Sequence, residues 1–113
     1  MARVVVFVPD LLFGSSVTAA VQAAGHEPIL AGDIGRVRDE LPGAELLIVD
    51  LTADAAERVE QVKTLGDTPR LAFYSHVEAD VRASAEEAGF DLVVPRSRMA
   101  REGAELVSRL LSR

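Results

Sequence analysis

Cysteine is absent from the 113 residues. That excludes a disulfide framework, a thiolate zinc site and a cysteine nucleophile. Tryptophan is also absent and aromatics make up 4%, so few side chains could stack on a ligand ring. Lysine occurs once, at Lys63, and the other basic residues are arginines. Twelve basic side chains face 18 acidic ones, for a formal net charge of -6. That sign repels nucleic-acid phosphates and anionic lipid, so neither nucleic acid nor membrane is expected as a partner. No apolar run nears the ~18 residues of a spanning helix. The N-terminus "MARVVVFVPD" has one basic residue and too short an apolar run for a signal peptide, and reads as a strand. The expected location is the cytoplasm. The arginine- and alanine-rich usage hints at a GC-rich bacterial source.

What is present is a globular composition, 49% hydrophobic and 27% charged. The length suits one domain, residues 1–113, with one core. Short apolar runs alternate with stretches of helical period. "RVVVFVP" (3–9) and "AELLIVDLT" (44–52) are near-continuous apolar runs, the signature of strands buried on both faces. "HEPILAG" (26–32) is a weaker strand whose Pro28 suggests a sheet edge. "RLAFYSH" (70–76) and "FDLVVPRS" (90–97) complete the set. Between them lie helices. The first, after Asp10, carries Phe13, Val17, Ala20, Val21 and Ala24 on one face and stops at Gly25. A weak one spans 33–43 with Asp33 as N-cap. An exposed one spans 54–66, capped by Asp54 and closed by Gly66. The fourth covers 78–89. The last covers 98–111, with Leu106, Val107, Leu110 and Leu111 as its stripe and a local weakness at Gly103.

This is β-α repeated five times, with no long linker and no repeat. Crossovers of that length between parallel strands are right-handed and place helices on both faces. The expected architecture is an α/β, flavodoxin-like, doubly wound five-stranded parallel sheet of order 2-1-3-4-5. In such sheets ligands bind at the carboxyl ends of the strands, beside the switch in strand order. Four of those ends carry chemistry: Pro9-Asp10, Asp50, Ser75-His76 and Pro95-Arg96. The strands ending at Asp10 and Asp50 should be neighbours. Two carboxylates, a hydroxyl and a guanidinium suit a hard divalent cation and a phosphoryl group.

With these residues in view, the chain resembles the receiver (CheY-like) domain of bacterial two-component response regulators. The intervals from Asp10 to Asp50, Asp50 to Ser75 and Ser75 to Arg96 are 40, 25 and 21 residues, and "EEAGFDLVVPR" (86–96) is similar to the stretch leading to the receiver lysine. The resemblance implies Asp50 as phosphoacceptor, Ser75 as the switch hydroxyl and Arg96 in the lysine's place. It implies Asp10, Asp50 and the backbone carbonyl of Thr52 as ligands of Mg²⁺, if the acidic site is functional; no other cofactor is implied. Departures accompany it. Pro9 replaces the first acid of the usual pair. Arg96 is planar and forked where lysine is a point charge. Ser97 stands where a proline is usual, and Val93 where many receivers carry an aromatic.

A bland role stands beside each sharp one. Asp10 suits an N-cap as well as a metal. Asp50 closes an apolar strand, where a carboxylate is costly unless paired or solvated. Ser75 could bond to backbone. His76 reads as a surface residue, and His26 and His76 lie at opposite ends of the strand set, so no nucleophile–base pair is visible. Gly14-Ser15-Ser16 lacks either nucleotide fingerprint and reads as close helix packing. Arg96, Arg98 and Arg101 crowd the start of the last helix, against its macrodipole. The reading is a degenerate receiver, or pseudo-receiver: a stand-alone signalling module acting through protein contact, with weak or absent phosphorylation at Asp50 and no enzymatic activity of its own. A histidine kinase is one expected partner, and self-association to a homodimer stays open. The alternatives are an active phosphoacceptor and a small-molecule binder of nucleotide or flavin type at the strand-end crevice.

Overall fold

The computed structural model describes residues 1–75 and 79–112. The strands are β1 (Arg3–Phe7), β2 (Glu27–Ala31), β3 (Leu46–Asp50), β4 (Arg70–Tyr74) and β5 (Leu92–Pro95). The helices are α1 (Leu11–Ala23), α2 (Ile34–Glu40), α3 (Ala55–Lys63), α4 (Ala79–Glu87) and α5 (Arg96–Leu111), with a 3₁₀ turn at Leu41–Gly43. The strands form one parallel sheet of order β2-β1-β3-β4-β5. This is the expected doubly wound, flavodoxin-like architecture, and β2 with its Pro28 lies at the edge.

Strand alternation sorts the core into two layers. Val5, Phe7, Leu47, Val49, Ala72 and Val93 face one way and meet Val37 of α2, Val59 and Val62 of α3 and Ala85 of α4. Val4, Val6, Ile48, Leu71, Phe73 and Val94 face the other way and meet Val17 and Val21 of α1 and Met99, Leu106, Val107 and Leu110 of α5. β3 and β4 are buried along their whole length, and β1 is buried except at Arg3. Apolar residues on both sides of these strands leave no face that water can cover. Helices on both faces are the consequence.

Several boundaries differ from the sequence expectation. The strands are shorter, because pairing stops before Pro9, Thr52 and Ser75. His76 lies outside the described residues. The last helix starts at Arg96 rather than 98, directly after β5, with Pro95 at its N-cap in extended conformation and no side chain capping it. Asp33 caps α2 as expected, accepting from the Arg36 N–H at 2.9 Å. Asp54 does not cap α3 with its side chain. It sits in the left-handed region at φ 51°.

Gly103 and Gly14 show why small residues matter here. A Cβ on Gly103 would lie 3.0 Å from the Cβ of Ala20 and 3.4 Å from Met99 Cε. Gly103 therefore sets how closely α1 and α5 pack. Just before it, Glu102 leaves helical geometry (φ −123°, ψ 16°), so α5 kinks where it meets α1. A Cβ on Gly14 would press on the Val8 carbonyl and Leu30, each at 3.3 Å. Gly14 thus belongs to packing, as the missing fingerprint suggests. Gly103→Val should lower the unfolding free energy by about 1–3 kcal/mol through overpacking. Urea titration measures it, and a variant as stable as the parent would show that the α1–α5 contact has slack.

Candidate functional site

Asp50 is the last residue of β3 and is 4% exposed. A carboxylate there must find donors nearby. Thr52 supplies two: its N–H donates to Asp50 Oδ1 at 2.8 Å, and its hydroxyl donates to the same oxygen. The third contact comes from α3. Arg58 Nη1 donates to the Asp50 backbone carbonyl at 2.7 Å and lies 3.7 Å from Asp50 Oδ2. Its guanidinium also sits 5.7 Å from the centroid of Phe7, on β1, and 3.8 Å from Asp54 Oδ2. The Arg58 side chain is only 11% exposed. Both charges of the Asp50–Arg58 pair are thus largely withdrawn from water. Beside them a crevice of about 220 Å³ opens between the ends of β1, β2 and α3, lined by Phe7, Pro9, Asp33, Asp54, Glu57 and Arg58 among others.

The other expected site residues are placed as follows. Asp10 is exposed and caps α1, its Oδ1 accepting from the Phe13 N–H at 2.9 Å. β1 and β3 are neighbours with Phe7 level with Val49, so Asp50 is level with Val8 and Asp10 lies two residues further along. Ser75 follows β4 directly and is half-buried. Arg96 opens α5, and its guanidinium carbon lies 4.6 Å from the centroid of the Phe13 ring. Phe13 in turn stacks on Phe73 of β4, with centroids 4.7 Å apart and planes at 26°. Arg96, Phe13 and Phe73 form one column that ties α5, α1 and β4 together at the carboxyl end of the sheet. The cation in contact with Asp50 is Arg58, a residue that the sequence left unnoticed on an exposed-looking helix.

Mg²⁺ needs near-octahedral oxygen ligands and sheds water reluctantly. The donors at this end of the sheet fit it poorly. Asp50 Oδ1 is engaged by Thr52 and Oδ2 faces a guanidinium. Asp10 is engaged as a cap, and Pro9 offers no side-chain oxygen. Among the described residues no group of three or more histidines and carboxylates could hold a metal.

At the opposite end of the sheet a second buried cation was also missed. Arg70 is 4% exposed, and its Nη2 donates to the Leu65 and Gly66 carbonyls at 3.1 and 2.9 Å, closing the end of α3. Its backbone N–H donates to Asp91 Oδ2 at 2.9 Å. Burial pushes the Arg70 pKa down, with Asp91 and Asp67 opposing it. Both carbonyls lie in the turn just beyond α3, and nothing in the sequence pattern marks them as the partners of Arg70.

No family model matches the chain, and no curated protein matches it. Solved structures do. The fold is that of a response regulator from Thermotoga maritima, with TM-score 0.84, 18% identity and coverage of 100% of this chain and 99% of that one. The receiver domain of a Francisella response regulator gives TM-score 0.83 at 13% identity, covering 99% and 98%. A protein named provisionally for pilus assembly, from Burkholderia pseudomallei, gives 0.80 at 20% identity, covering 99% and 90%. Identities this low establish a shared receiver fold. Among the described residues no helix is long and apolar enough to cross a membrane.

The Asp50–Arg58 pair is open to a double-mutant cycle. Arg58→Met keeps the stem over Phe7 and removes the charge. It should cost about 2–4 kcal/mol in urea unfolding, because it strands a buried carboxylate. In an Asp50→Asn background the same change should cost at least ~1 kcal/mol less. Additive costs would show that the two side chains are not coupled.

Proposed function

We propose that this chain is a pseudo-receiver: a cytoplasmic, bacterial signalling module that keeps the receiver fold and works by protein–protein contact, with little or no phosphorylation at Asp50. The observation that carries this reading is the environment of Asp50. In the phosphoacceptor reading its carboxylate must be free to attack phosphorus beside a metal. Here one oxygen is engaged by Thr52 and the other faces Arg58. A guanidinium is a built-in positive charge. It relieves the carboxylate of repulsion and removes the need for a bound cation.

Four sequence departures support the same reading. Pro9 brings no carboxylate to a site that would need one. Arg96 is the residue in the lysine's place, and it is stacked on Phe13. Ser97 and Val93 replace the other residues usual at their positions. Loss of one aligned electrostatic contact typically slows a step by ~10²–10³. Output then depends on surfaces rather than on a phosphorylation cycle. A histidine kinase remains a reasonable contact, since shape alone can be read by a partner built for this fold.

Incubation with acetyl phosphate and Mg²⁺ should leave the intact mass of the protein unchanged, or give only a minor species one phosphate heavier. A near-stoichiometric gain of one phosphate that disappears in Asp50→Asn would make this an active phosphoacceptor and end the pseudo-receiver reading.

A further inference from the structure

The Arg58 guanidinium gathers three oxygens of the chain. Its Nη1 donates to the Asp50 backbone carbonyl at 2.7 Å and lies 3.7 Å from Asp50 Oδ2. Its Nη2 lies 3.8 Å from Asp54 Oδ2. Asp50 Oδ1 stands apart from this set, because the Thr52 N–H and hydroxyl both donate to it. Neutral donors thus meet one oxygen of Asp50. A full positive charge meets the other, together with a carbonyl and a second carboxylate. Two carboxylates and a carbonyl around one cation are the hard oxygen donors that a divalent metal ion takes. Asp54 belongs to the set because it directly precedes α3 and lies one helical turn before Arg58.

We propose that these oxygens form a cation site whose resident cation is the Arg58 side chain, with Asp54 rather than Asp10 as the second carboxylate. The site takes a hydrated divalent metal ion only when that side chain is removed. Charge balance is the argument. Asp50, Asp54 and Arg58 together carry one net negative charge. Without the guanidinium two negative charges remain, which one divalent ion neutralises. The Asp50 side chain is only 5% exposed, so water is a poor substitute for the lost counter-charge. Asp10 is exposed and already accepts from the Phe13 N–H as a helix cap. With Arg58 in place an arriving metal ion meets a like charge, and the Asp50 carbonyl is already engaged.

An entry path exists. The crevice of about 220 Å³ beside the pair is lined by Asp54, Glu57 and Arg58 among others. Ions such as Mg²⁺ keep several of their waters and bind through one or two carboxylates, so the few protein oxygens here are enough once the guanidinium is gone. In the native chain the end of β3 is therefore set without regard to the divalent ion concentration, and Arg58 is the residue that makes it so. The inference rests on the reading of Asp50 as a carboxylate neutralised from within, and it names the residues that do this.

Titration of the whole chain with Mn²⁺, with the free aqueous ion counted by electron paramagnetic resonance, tests it. Wild type should bind no more Mn²⁺ than its Asp50→Asn variant. Arg58→Ala should gain a single site at least about tenfold tighter than anything in wild type, because a like charge has left it. Arg58→Lys keeps the charge and should not gain the site. In the Arg58→Ala background, Asp54→Asn should weaken the new site, and Asp10→Asn, which keeps a helix cap, should not. If Arg58→Ala is unfolded without metal, added Mn²⁺ should restore its circular dichroism, since binding stabilises the fold. An Arg58→Ala chain that binds no ion, or stays unfolded whatever the ion, overturns the proposal. So does a gained site that Asp54→Asn leaves intact. Mn²⁺ bound by wild type through Asp50, with no phosphate taken up from acetyl phosphate, overturns this inference alone. Phosphate taken up at Asp50 ends the pseudo-receiver reading as well.

Discussion

A carboxylate closes a strand that water does not reach, and much of the local structure follows from that. Burying an unpaired charge costs far more than a domain of this size can offset. The chain after Asp50 must therefore return donors to it within a few residues. Thr52 does so by folding back in a two-residue turn. Arg58 does so from the first turn of α3. That helix can start in the right place only because Asp54 adopts a left-handed conformation, the one non-glycine among the described residues with positive φ. Such a conformation costs on the order of 1 kcal/mol, and aspartate tolerates it better than most residues. The Arg58 N–H then bonds to the Asp54 carbonyl at 3.0 Å, while its guanidinium reaches the end of β3. The strained residue and the buried ion pair are two parts of one solution.

The same constraint explains what could be read from the sequence. β1, β3 and β4 are apolar on both faces, so their runs are uninterrupted and the parallel sheet is legible. The edge position of β2 is legible from Pro28. Asp50 is legible because an acid at the end of such a run needs a reason. Arg58 is not. It sits among Glu57, Glu60 and Lys63, a mixed-charge stretch that reads as a solvated helix face. Its partner lies eight residues back through a loop whose turn depends on Asp54, and no periodicity encodes that. The start of α5 was misread for a similar reason. Pro95 looks like a strand end followed by a loop, yet its extended conformation also serves as the last residue before a helix, and no loop intervenes.

Arg96 shows how two modest forces set a side chain. As the first residue of α5 it places a positive charge at the positive end of a helix, which costs about 0.3–1 kcal/mol. Lying over Phe13 returns about 0.5–1 kcal/mol for an exposed pair, and the aromatic is itself fixed by stacking on Phe73. The position is roughly neutral in stability, so the contact directs Arg96 toward α1 at little net gain. The dipole conflict was visible in sequence, but the ring contact was not, because Phe13 and Arg96 meet only once α1 and α5 share a face.

Taken together, the cations at this end of the sheet are held by the protein itself. Arg58 is held by Asp50 and its carbonyl, Arg96 by an aromatic ring, and Arg98 by Glu102 at 3.6 Å. A phosphoryl group arriving at Asp50 would have to draw a cation away from one of these contacts and separate Asp50 from Thr52. Arg96 is the easiest to move, since its contact is exposed and weak. Arg58 is the hardest, since moving it also exposes Phe7 and frees the Asp50 carbonyl. The positive charge nearest to Asp50 is therefore the one least able to reorganise. An internal guanidinium can neutralise a carboxylate permanently, but it cannot leave and return as a metal does. That rigidity favours a single conformational state at the end of β3, as the proposed phosphorylation-independent reading requires.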